Sequence, residues 1–171
     1  MSDLTKDKSA EESGEQFDSL ARLLSRGGVY HNALGSSRDD VLANLIGGLP
    51  LLSARKREAL LQAVIEREAL VSTGVENGIA LPHPRVPILE GDEEPFVTIA
   101  FPLEPLDWPT PDGSAVGVIF LIVSKSPKQH LGVLSKINFL CQQKDFFNLI
   151  SARAPKEEIT AAVEEAEKYW R

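Results

Sequence analysis

The sequence predicts an α/β domain, a small mixed β-sheet sandwiched between helices. Two observations point there. Six stretches read as helices from apolar spacing and capping residues, while four short runs, 29–31, 79–81, 96–101 and 116–123, are β-prone or wholly apolar. Their order is helix, strand, two helices, three strands, three helices. An alternation of this kind places helices on both faces of one sheet.

Composition sets the outer limits. The 171 residues are 43% apolar and 25% charged, an ordinary soluble balance and enough chain for one sizeable core. A net charge of −7 argues against a nucleic-acid partner, which demands a basic face. The single cysteine, Cys141, excludes an internal disulfide and a multi-thiolate zinc site. No stretch approaches a membrane span, and the first residues lack the apolar core of a signal peptide. A cytoplasmic protein without direct membrane insertion is expected.

Residues 1–14 are polar and charged and are expected to form a mobile tail, with residues 15–171 a single domain. Phe17, Leu20, Ala21 and Leu24 predict a short helix over 15–25, ended by Gly27-Gly28. Val29-Tyr30-His31 follows as a strand, and His31, with no acidic or histidine neighbour, reads as structural. Ser36 or Ser37 caps the next helix, which runs to Gly47-Gly48 before Pro50. Ser53 opens a third helix with Leu60, Leu61, Val64 and Ile65 as its stripe. Its charged residues, Arg55, Lys56, Arg57, Glu58, Glu66 and Glu68, are expected mostly on a solvated face.

Next comes Ser72-Thr73-Gly74-Val75-Glu76-Asn77-Gly78-Ile79-Ala80-Leu81-Pro82-His83-Pro84-Arg85. Small polar residues and glycines suit tight turns. The short apolar run then stops at a histidine held between two prolines. Pro84 pushes His83 away from helical backbone, and Pro82 fixes its own φ. His83 is thus expected at a strand end on a stiff platform. Residues 86–95 read as a surface loop and 96–101 as a strand. A turn-rich connection, Leu106-Asp107-Trp108-Pro109 with Asp112-Gly113, leads to the most apolar strand, 116–123, expected at the sheet centre. Ser126-Pro127 starts a long helix with His130 in its first turn. Two shorter helices, near 145–152 and 156–169, close the chain.

Strand ends and helix starts meet along one edge of an α/β sheet, where ligands usually bind. His83, His130 and Arg67 are expected there with the Ser72-Thr73 turn. Two imidazoles, a guanidinium and turn N–H groups suit a phosphoryl group: neutral imidazole is a nucleophile near pH 7, and arginine offers a planar fork to phosphate oxygens.

Arg67-Glu68, then Ser72-Thr73-Gly74-Val75, then Gly78-Ile79-Ala80-Leu81-Pro82-His83 resembles the signature of the fructose/mannitol-type and nitrogen-regulatory enzyme IIA domains of the phosphoenolpyruvate-dependent phosphotransferase system. Leu106-Asp107-Trp108 with Asp112-Gly113, and Ser126-Pro127 with His130-Leu131 and Leu134, resemble further segments of that family. The resemblance spans roughly residues 17–169. It implies that His83 accepts a phosphoryl group from the phosphohistidine of HPr or a relative. His130 would hydrogen-bond the phosphoryl oxygens, Arg67 would neutralise charge, and Ser72 and Thr73 would line the site. The acceptor would be a IIB domain in sugar uptake, or the phosphorylation state would govern binding to a regulated protein. No metal or organic cofactor is implied.

The chain departs from the family at Pro84, where Gly or Ala often follows the active histidine. Proline deletes an N–H and stiffens the loop. Transfer is expected to survive if the remaining donors suffice; Arg85 either offsets some of the loss or, the default for an exposed arginine, has no partner role. The alternative reading is a regulatory binding module that is not phosphorylated.

Overall fold

The apolar run Val118–Val123 forms the middle strand of a five-stranded mixed sheet in the computed structural model, which describes residues 17–170. In chain order the elements are α1 (Leu20–Gly27), β1 (Val29–Ala33), α2 (Arg38–Gly47), α3 (Ala54–Leu70), β2 (Gly74–Val75), β3 (Ile79–Ala80), β4 (Phe96–Pro102), β5 (Val118–Val123), α4 (Pro127–Gln142), α5 (Lys144–Ser151) and α6 (Lys156–Glu167). A 3₁₀ turn, Glu76–Gly78, joins β2 to β3. The sheet order is β1-β4-β5-β3-β2. β1 runs parallel to β4 and β3 parallel to β5, while β4–β5 and β2–β3 are antiparallel. The two-residue strand β2 is the one element absent from the sequence expectation: Gly74-Val75 is too short to show a period.

Alternate side chains of the inner strands fill two apolar layers, the consequence of a period of two. Ile79, Ile99, Phe120 and Ile122 face α1, α4, α5 and α6. Ala80, Ala100, Ile119 and Leu121 face α2 and α3. Burying both faces explains why β4 and β5 are apolar throughout.

Four helices begin on a serine. Ser19, Ser37, Ser53 and Ser126 each accept the backbone N–H three residues on, at 3.1 Å, which satisfies an otherwise orphaned donor. α1 therefore starts at Leu20, later than its apolar pattern implied, and Glu167 from α6 accepts Leu20 N and Ala21 N at 2.9 and 2.8 Å. The tail expected over 1–14 and the helix start at Glu15 lie outside the described residues.

Glu68 needs a correction. It was expected on the solvated face of its helix, yet only 3% of it is exposed. It follows Leu60 and Val64 at intervals of four, and all three lie on the buried face of α3.

Candidate active site

Parallel neighbours deliver their C-terminal ends to the same edge of a sheet. β3 and β5 are such a pair. Past β3 the chain stays extended, with Leu81 N donating to Thr73 O (3.1 Å) and Ile122 N donating to Pro82 O (3.0 Å). His83 emerges there. Past β5 the chain turns into α4, whose first turn holds His130. The two imidazole centroids lie 4.4 Å apart, tilted by 46°. The fold brings the two rings together although 47 positions separate them in the chain.

His83 Nδ1 lies 2.7 Å from the carbonyl oxygen of Leu81. A carbonyl can only accept, so Nδ1 carries the proton and Nε2 keeps a free lone pair. Burial lowers the His83 pKa, with the Arg67 charge adding to that and the Leu81 carbonyl and Glu68 opposing it. His130 is pushed down from 6.5 to about 4, first by burial and then by His83 and Arg67. Two neutral rings therefore face each other near pH 7.

Arg67, in the last turn of α3, donates Nη1 to Val71 O at 2.6 Å. It thus closes its own helix end while its charge acts on both imidazoles. Ser72 and Thr73 form the turn expected to line the phosphoryl site. In the structure both hydroxyls are engaged within the protein. Ser72 Oγ donates to Pro109 O (2.6 Å) and accepts Gly74 N (3.0 Å). Thr73 Oγ1 donates to Glu68. They build the turn beneath the histidine. Gly74 belongs to that build: a Cβ there would fall 2.2 Å from Pro109 O.

Pro84 is buried and forms one wall of a cavity of about 210 Å³ beside His130. Arg85, Pro87, Ile122, Ser124 and Leu131 also line it. Sequence reasoning missed this cavity, because its wall is the Pro84–Pro87 segment folded onto α4. Among the described residues no group of three or more His, Cys, Asp or Glu side chains is arranged to hold a metal. No described helix is long and apolar enough to cross a membrane.

The fold presents two neutral imidazoles beside a guanidinium at a sheet edge, a set of groups whose chemistry suits an anionic ligand. The chain belongs to the family described as phosphoenolpyruvate-dependent sugar phosphotransferase system, EIIA 2, which matches residues 22–166. It is a phosphotransferase component with a phosphocarrier role in transport or regulation. It is 32% identical over 132 residues to a nitrogen regulatory protein of Pseudomonas aeruginosa, covering 74% of this chain and 82% of that protein. It is 28% identical over 148 residues to the mannitol-specific phosphotransferase enzyme IIA component of Staphylococcus aureus, covering 86% and 99% respectively. The crystal structure of nitrogen regulatory protein IIA-Ntr from Neisseria meningitidis superposes with a TM-score of 0.64 at 26% identity, covering 79% of this chain and 91% of that one.

Proposed function

We propose that His83 Nε2 is the phosphoryl acceptor of this carrier. The observation behind the assignment is the Nδ1 contact to Leu81 O at 2.7 Å, which fixes the tautomer and leaves Nε2 as the nucleophile. The donor is the phosphohistidine of an HPr-like protein. In the step, the Nε2 lone pair attacks phosphorus in line, the donor's P–N bond breaks, and its electron pair returns to the donor imidazole. Phosphorylated His83 keeps its Nδ1 proton on Leu81 O. His130, from 4.4 Å away, hydrogen-bonds the phosphoryl oxygens, and Arg67 offsets their charge. Catalysis is by positioning and charge stabilisation.

Leu70, Val71, Val86 and Leu131, all more than half exposed, flank the site in sequence and supply apolar surface for a protein donor. The phosphoryl group then passes to a IIB domain in sugar uptake, or its presence governs binding to a regulated protein. Relatives of both kinds occur, the mannitol-specific component and the nitrogen regulatory proteins.

The test is intact-mass spectrometry at neutral-to-basic pH after incubation with phosphoenolpyruvate, enzyme I and HPr from the same organism. One acid-labile phosphoryl group on wild type and none on His83→Ala is expected. No group on wild type beside a demonstrably charged HPr overturns the proposal in favour of a binding module.

A further inference from the structure

Glu68 is a nearly fully buried carboxylate that the transfer step does not touch. Its neighbour Arg67 is only half-buried, since consecutive helix residues point about 100° apart. Three donors converge on Glu68. Thr73 N lies 3.1 Å from Oε2, the Trp108 indole N–H lies 3.2 Å from the same oxygen, and the Thr73 hydroxyl donates to Oε1. The carboxylate therefore ties the end of α3 to the turn and to the 106–109 connection.

The turn leads on to the histidine. Thr73 O accepts Leu81 N at 3.1 Å. Leu81 O accepts His83 Nδ1 at 2.7 Å. Thus Glu68 fixes residue 73, residue 73 fixes residue 81, and residue 81 fixes the tautomer and direction of the ring. Ser72 strengthens the arrangement from the other side through Pro109 O. We propose that Glu68 is a positioning residue for His83, acting through Thr73 and Leu81 to hold Nε2 free and aimed at its phosphoryl donor. This rests on His83 being the acceptor.

Glutamine can replace these contacts. Its amide oxygen can accept both Thr73 N and the indole N–H, while its NH₂ donates to a rotated Thr73 hydroxyl. Alanine can replace none of them and leaves buried donors without partners. The two substitutions therefore separate the hydrogen-bonding geometry from the rest of the side chain.

The experiment pairs two readouts on wild type, Glu68→Ala, Glu68→Gln and Thr73→Val. One is the His83 tautomer from two-bond ¹H–¹⁵N spectra, which needs no phosphoryl group. The other is single-turnover phosphorylation by charged HPr over a range of HPr concentrations. Glu68→Ala is expected to lower the maximal transfer rate about 10- to 100-fold, the scale of a small misplacement of a reacting group. The half-saturating HPr concentration should change less than about threefold, and the Nδ1–H signature should be lost. Glu68→Gln should restore both the tautomer and most of the rate. Thr73→Val, which deletes only the hydroxyl link, should fall in between and serves if Glu68→Ala does not fold. A wild-type tautomer and rate in both Glu68→Ala and Thr73→Val would overturn the proposal, as would a Glu68→Gln variant no better than Thr73→Val. If wild type itself takes no phosphoryl group while the spectra still follow Glu68, the acceptor assignment fails and the positioning of the ring stands.

Discussion

Two of the three histidines, His31 and His83, sit towards opposite edges of the sheet, and each puts a ring nitrogen on backbone carbonyl oxygen. His31, on edge strand β1, places Nε2 between Arg153 O (3.1 Å) and Ala154 O (3.0 Å), its ring tilted over Phe101. His83, beyond β3, places Nδ1 on Leu81 O. The type of bond is shared, and the result differs. At His31 the bonded Nε2 links β1 to the carbonyls that follow α5. At His83 the opposite nitrogen is used and Nε2 stays free, beside a second imidazole and a guanidinium. A histidine is made reactive by the nitrogen its surroundings leave unused and by the charges placed around it.

The strongest challenge to this contrast is to delete each ring. His83→Ala is expected to abolish phosphoryl acceptance, and His31→Ala to leave it intact under the same mass-spectrometric assay. A silent His31→Ala variant that still folds would erase the distinction. Next in size is His130→Ala, expected to accept phosphate yet pass it on about 10²- to 10³-fold more slowly, the scale of losing one transition-state donor. A pulse-chase with a IIB acceptor reads this, and wild-type behaviour in both steps would remove His130 from the mechanism. Arg67→Gln should raise the titration midpoints of His83 and His130, read from ring proton shifts, because its charge lowers both. Unmoved midpoints would mean that Arg67 only closes its helix.

The same contrast predicts how stability follows pH. The folded His130 pKa, about 4, lies below the unfolded 6.5. Above 6.5 both states hold a neutral ring. As pH falls from 6.5 to 4 the unfolded chain takes up a proton that the folded chain refuses, so stability present above 6.5 is lost through that window. Urea unfolding should show this slope, with His83 adding to it in the same direction. His130→Asn should reduce it to the His83 share, and an unchanged slope would place the titration elsewhere. The smallest effect is the stability of His31→Ala, expected to fall by about 1 kcal/mol for one shared hydrogen bond.

Much of the site was legible because its signals are local. Prolines on either side of His83 fix backbone whatever surrounds them, and Ser126-Pro127 marks a helix start wherever it lies. The same locality placed β5 at the sheet centre, since only a strand covered on both faces is apolar at every position. Glu68 was misplaced for the converse reason. Its charge says surface, and only its spacing from Leu60 and Val64 says interior. The donors that let a carboxylate sit there come from Thr73 and Trp108, the latter 40 residues away.

By itself, then, the sequence determined the order of elements, the caps, the strand-end mount of His83 and the family signature, all written in the residues next to one another. Only the tertiary structure decided that β3 and β5 lie parallel side by side, which brings His130 to within 4.4 Å of His83. It also decided which nitrogen is free and that the Ser72 and Thr73 hydroxyls serve the turn. Those outcomes depend on partners distant along the chain, and no local propensity encodes a contact whose other half is elsewhere.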